Sequence, residues 1–172
     1  MDNVITKTRF SSVAKQKDYE NGLCINCGDV RESLCVRCTS CRKKSSEQKK
    51  KTKRLRLTQG LCIRCPKPSL PNGQLCKNCF FYNVAAVTLK SVKMSHAIAA
   101  LFEEQGGQCA YTGETLVLGV NTSIDHKTPQ CRGGGHNIEN LQWVSKRING
   151  NKFNLTHEEF VNECASIAAK FR

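Results

Sequence analysis

Downstream of residue 91 the apolar positions follow recognisable periods, after a transition over 81–90 in which the charge thins. Met94, Ala97, Ile98, Leu101 and Phe102 recur at i, i+3, i+4 and predict a helix over 91–105, stopped by Gly106-Gly107. Residues 123–127 alternate as a short strand that Pro129 ends, Gly133-Gly134-Gly135 is a turn, and 140–144 read as a second strand. A helical stretch over 145–152 follows. The last helix is the best marked. Thr156 and Glu159 form a capping box, with Leu155 and Phe160 as the hydrophobic staple around it. Phe160, Val161, Cys164, Ile167, Ala168 and Phe171 then share one face, which predicts a buried Cys164 and leaves His157 exposed in the first turn.

Residues 1–90 carry another kind of pattern. Nine of the 12 cysteines lie between Cys24 and Cys79, eight of them in four pairs separated by two residues. Cys24/Cys27 and Cys35/Cys38 make one set; Cys62/Cys65 and Cys76/Cys79 make the other. Two C-x-x-C turns complete a tetrahedron around Zn²⁺, with Zn–S near 2.3 Å. The sets form an internal repeat: Gly22-Leu23-Cys24-Ile25-Asn26-Cys27 matches Gly60-Leu61-Cys62-Ile63-Arg64-Cys65, and the second pairs are aligned on Leu34-Cys35 and Leu75-Cys76. That alignment favours Cys35/Cys38, with Cys41 as the alternative ligand in a Cys38/Cys41 pair. Redox-active dithiols are the competing reading, and tandem pairing favours zinc. Neither module is long enough to fold on apolar packing, so metal binding would supply its folding energy.

Charge divides along the same line. The chain holds 27 Lys+Arg and 14 Asp+Glu, net +13. Counted along the sequence, 1–90 carry 19 and 6, net +13, and 91–172 carry 8 and 8, net zero. A polyanion is the natural partner for the first half. The densest run joins the two cysteine modules: Arg42, Lys43, Lys44, Lys49, Lys50, Lys51, Lys53, Arg54 and Arg56 against one acid, Glu47. Such a run repels itself until phosphates neutralise it, and phosphate contacts position a protein without reading bases. Hydrophobic residues are 39% and aromatics 6% of the chain, thin for one large core. The longest apolar run, 97–102, is far short of the about 20 residues that cross a bilayer. With no apolar stretch at the N-terminus, a cytoplasmic location is expected (a host cytoplasm, were the protein phage-encoded) and no membrane partner.

In the second half, Asp125-His126-Lys127-Thr128-Pro129, Gly133-Gly134, Ile138-Glu139-Asn140-Leu141-Gln142-Trp143-Val144 and Asn149-Gly150-Asn151-Lys152 follow one another in fixed order. From Gly107 to about Phe160 this resembles the HNH endonuclease family, of ββα-metal fold, particularly its phage-encoded and intron-associated members. The resemblance implies His126 as the general base that activates water, an imidazole of pKa about 6.5 being suited to that. It implies Asp125 and Asn149 as ligands of a catalytic Mg²⁺ or Mn²⁺. Asn140 matches the residue that orients the His-bearing loop; Lys152 is given a phosphate contact and His136 a possible contact with substrate. Many relatives carry a further zinc on two C-x-x-C pairs. Here Thr112, Ser145 and Ile148 stand where three of those cysteines would be, so Cys109 is expected as a buried thiol.

The expected protein is α+β and multidomain. A first zinc module with an N-terminal extension (1–41), a basic connector (42–58) and a second zinc module (59–90) precede a ββα-metal nuclease domain (91–172). The expected activity is metal-dependent hydrolysis of double-stranded DNA, with two structural Zn²⁺. One active site cuts one strand at a time, so a double-strand cut would need a homodimer or two encounters. A DNA-binding or regulatory protein with an inactive nuclease domain is the alternative. An RNA-directed nuclease is disfavoured by the scarcity of stacking aromatics, Phe80-Phe81-Tyr82 being the one cluster.

Overall fold

A computed structural model describes residues 12–32 and 34–171. The expected N-terminal extension up to residue 11 lies outside them. The chain forms two compact units, Met1–Leu55 and Arg56–Arg172.

In the first unit, α1 (Val13–Glu20) is capped by Ser12, whose Oγ accepts the Lys15 N–H. The helix closes at Gly22, which takes φ +73° and donates its N–H to Tyr19 O at 3.1 Å. A left-handed residue is needed there, which is why glycine stands in it. Leu23 then pairs with Val30, and Cys24 N–H reaches Asp29 O at 2.8 Å, making a small hairpin with sulfur at its turn. The buried cluster here is Cys24, Cys38 and Cys41, with no aliphatic or aromatic member.

Residues 42–58, expected as a self-repelling basic arm, are helical. Thr39–Thr58 is one α-helix, α2, and the division between the two units falls inside it. Lys, Arg, Gln and Leu are good helix formers, and 39–58 contain neither glycine nor proline. Only Cys41 of this helix is buried.

In the second unit the hairpin recurs, Leu61 pairing with Pro68, and leads to α3 (Lys77–Val87). The expected boundary at 90/91 does not separate two cores. Phe81, Ala85 and Leu89 pack with Ile98 and Phe102 of α4 (Ser95–Glu104), and with Trp143. Trp143 is the hub. Its ring meets Phe81 and Phe102 edge-on at 5.7 Å each and stacks with Phe80 at 6.3 Å, while Nε1–H donates to Ile98 O at 2.8 Å. Phe80 and Phe81 are therefore core residues, and Tyr82 alone of the trio is exposed.

The sheet is β1 (Thr122–His126) antiparallel to β2 (Leu141–Ser145), with Asp125 opposite Gln142 and His126 opposite Leu141. At Trp143 the outer edge of β2 is closed by a side chain. The Gln105 amide accepts from Trp143 N at 2.8 Å and donates to Trp143 O at 3.0 Å, as a neighbouring strand would. Next, α5 (Lys146–Lys152) is capped by Ser145 and packs on both strands. The expected strand, loop, strand, helix order is present.

α6 (His157–Lys170) has both halves of the capping box. Phe160 and Leu155 join the core, and His157 is exposed as expected. Cys164 is not buried. From Val161 onward the helix is exposed, Ile167 at 55% and Phe171 at 81%. One aromatic at the helix start anchors α6, and no described element covers the rest of its apolar face.

Candidate functional site

The described residues contain two groups that could hold a metal, each of four cysteines whose Sγ atoms lie within 4.8 Å of one another. Cys62, Cys65, Cys76 and Cys79 match the expectation. In the other group Cys24, Cys27 and Cys38 are joined by Cys41, the alternative ligand, and Cys35 stands outside. Cys35 is exposed, its Sγ accepting from Arg42 Nη1 at 3.4 Å. The reason is the helix. Cys38 immediately precedes α2 and accepts the Cys41 N–H at 3.5 Å; Cys76 is likewise the N-cap of α3, with Cys79 in the first turn. N–H groups and a positive dipole end at a helix start favour thiolates. The equal spacing was there to be read: ten residues separate Cys27 from Cys38, and ten separate Cys65 from Cys76.

Electrostatics within the tetrads ask for a cation. Burial opposes ionisation of Cys24, but N–H groups of Cys38, Asn26 and Cys27 outweigh it and bring the thiol down to about 6. Cys62 reaches about 6 in the same way, through Cys76, Arg64 and Cys65. Their neighbours move oppositely. Burial and then the Cys76, Cys62 and Cys65 sulfurs push Cys79 up to about 12. At Cys27 the Asp29 N–H favours the thiolate, yet the Asp29 carboxylate and the Cys41 and Cys24 sulfurs raise it further. Four thiolates cannot share so small a space without a compensating charge. Four soft sulfurs at this separation fit Zn²⁺, so both tetrads are compatible with structural zinc.

A second constellation lies on the two-stranded sheet. Asp125, His126 and Asn149 line one open cleft of about 310 Å³, together with Gln130, Phe153 and Asn154. Asp125 and His126 are buried at the end of β1, and Asn149 reaches the cleft from α5. His126 Nε2 meets His136 Nδ1 at 2.9 Å, and Gln130 Nε2 stands 3.4 Å away. Burial first, and then the neighbouring His136, hold the His126 imidazole below its ordinary value.

Asn140 fastens the loop that leaves β1. Its Oδ1 accepts Thr128 N–H at 2.8 Å, and its Nδ2 donates to Thr128 O at 3.1 Å and Gly135 O at 2.9 Å. Gly134 passes so close that a Cβ there would collide with Thr128 O; only glycine fits. Asn140 thus clamps the His-bearing loop and touches nothing that could react.

Lys152 differs most from expectation. The resemblance implies a phosphate contact for it, yet only 1% of its surface is exposed. Nζ donates to Asp125 Oδ1 at 3.2 Å and to His126 O at 2.8 Å, and Gln142 Nε2 donates to Asp125 Oδ2 at 2.8 Å. A buried lysine must be paired, and Asp125 is the carboxylate in reach. Gln142 and Lys152 as partners of Asp125 went unread because a strand register and a helix turn bring them there. The donor set still suits a hard divalent ion. Each carboxylate oxygen has two lone-pair directions and one partner, and Asn149 spends only Nδ2, on Ser123 Oγ at 3.2 Å.

No helix among the described residues is long and apolar enough to cross a membrane. Compared with known proteins, the chain matches no family, no curated protein and no solved structure.

Proposed function

We propose that the protein is a metal-dependent DNA endonuclease of HNH type, with its cysteine-rich half supplying DNA affinity. The observation that carries this reading is the convergence of Asp125, His126 and Asn149 on one cleft, with Asn140 fixing the loop between. A carboxylate, an amide and a neutral imidazole in one cleft suit hydrolysis of a phosphodiester. His126 takes the proton of the attacking water. His136 fixes the ring by its hydrogen bond, and Lys152 and Gln142 orient Asp125. A Mg²⁺ or Mn²⁺ ion held by Asp125 and Asn149 would offset charge developing on the phosphoryl group and the leaving 3′ oxygen. The exposed cations of α2 would track phosphates, which makes binding steeply salt-dependent.

Supercoiled plasmid incubated with the protein and Mg²⁺ or Mn²⁺ tests this. His126→Ala should lower cleavage by about 10²–10⁴-fold, the usual size of general-base catalysis, and leave DNA binding nearly unchanged. Equal loss of both would remove the division of labour. One observation favours the second reading, a zinc-dependent DNA-binding protein with an inactive catalytic unit: both Asp125 oxygens already have partners, one of them cationic. Tight binding with intact plasmid in every metal would decide for it.

A further inference from the structure

The turn after α5 carries a residue that the fold does not explain. Phe153 is 77% exposed and sits at the rim of the cleft that Asp125, His126 and Asn149 line. Its backbone takes φ +48° and ψ −116°, a combination rarely adopted by any residue with a bulky side chain. Leu155 N–H donates to Lys152 O at 2.9 Å, so Phe153 is the first central residue of a tight turn. Its angles lie near the roughly +60°, −120° of the turn type that prefers glycine there. Two penalties fall on one position: backbone strain, and a large apolar ring left in water. The turn is also anchored to the site. Phe153 N–H donates to Asn149 O at 3.2 Å, and the preceding Lys152 is bound to Asp125 and to His126 O. Strain held in place by its surroundings at the lip of a cleft points to a ligand contact.

We propose that Phe153 contacts the substrate, its ring stacking on a nucleobase that flanks the phosphate to be cut. This rests on the nuclease reading above. An aromatic ring offers a π-face that every base can stack on, and an apolar wedge beside a duplex can part a base step. Stacking at this place would seat the scissile phosphate against His126 and Asp125 without reading sequence.

The full-length zinc-loaded protein decides it, with Phe153→Gly and Phe153→Trp. Phe153→Gly should melt at a higher temperature than the parent, because glycine accepts this backbone, and should cut about 5–150-fold more slowly, the size of one base–aromatic stack. Phe153→Trp should retain most of the rate, and its added indole emission should be quenched by duplex DNA. A duplex abasic beside the mapped cut should slow the parent to the rate of Phe153→Gly and leave that variant unaffected. Phe153→Gly cutting as fast as the parent, or both proteins responding equally to the abasic site, would overturn the proposal. Where even the parent leaves DNA intact, the nuclease reading is what fails. Quenching in Phe153→Trp then still decides the stack, and unchanged emission overturns it.

Discussion

One backbone turn occurs three times among the described residues, twice beside four gathered sulfurs and once against packed side chains. Cys24 N–H reaches Asp29 O, Cys62 N–H reaches Lys67 O and Cys109 N–H reaches Glu114 O, each at 2.8 Å. Each turn is framed by a one-pair bridge, Leu23 with Val30, Leu61 with Pro68 and Gln108 with Thr115. What faces the turn is also alike. In the first two it is a helix start bearing Cys38/Cys41 or Cys76/Cys79; at the third, Ser145 caps α5 and Ile148 lies in its first turn. Cys109 accepts the Ser145 N–H at 3.4 Å in place of a metal bond. Burial opposes its ionisation, yet the Thr112 hydroxyl and N–H groups of Ser145, Tyr111 and Thr112 still lower the thiol. The third turn can dispense with a tetrad because Trp143, Leu141, Ile148 and Phe160 bury it; the first has only Cys24, Cys38 and Cys41 inside. The same geometry thus occurs beside a sulfur tetrad and inside an apolar core.

Removing zinc should break this comparison most visibly. Structural zinc contributes about 10–16 kcal/mol of apparent folding energy in small modules. A chelator should make residues 12–55 protease-sensitive while Trp143 emission stays that of a buried indole. Loss of both signals together would mean that the second unit also hangs on its metal. Exchange of a single ligand comes next. Cys41→Ser should reduce bound zinc from two ions to one, and Cys35→Ser should leave two. The reverse pattern would restore the pairing expected from the aligned Leu-Cys words.

That pairing shows where local reading failed. Wording around Cys35 resembles wording around Cys76, but which sulfurs gather depends on distance from the first pair and on a helix start, and a charged arm over 42–58 offers no helix to start. The capping box at Thr156, the two strands and the order Asp125, His126, Asn140, Asn149 were legible, because each is a local pattern. Burial of Lys152, α3 in the core and exposure of Cys164 were not. They depend on which elements meet, and the second cysteine module proved to be part of the core of residues 91–172.

The packed turn should answer to core mutation. Trp143→Ala, deleting the hub, should cost about 3–5 kcal/mol, lower the melting temperature of the second unit, and leave zinc bound at Cys24, Cys27, Cys38 and Cys41. A zinc count falling along with the melting temperature would make metal and core one cooperative system.

The smallest effect lies at the outer support of the third turn. Tyr111, inside that turn, meets Phe160 edge-on at 5.1 Å and stacks with His157 at 5.3 Å, both at the start of α6. The capping box holds that start, so Thr156→Ala should cost about 1 kcal/mol and loosen the packing on Tyr111. Acid should do the same. Arg132, whose Nη1 donates to Glu159 Oε1 at 2.7 Å, and then the Thr156 N–H hold the Glu159 carboxyl below its ordinary 4.5. A group depressed on folding stabilises the native state above its unfolded pKa, and that contribution drains away as pH falls through the lowered native value. The melting-temperature difference between the parent and Glu159→Gln should therefore be full at neutral pH and vanish in strong acid. A difference that persists there would assign the role of Glu159 to shape, with its charge incidental.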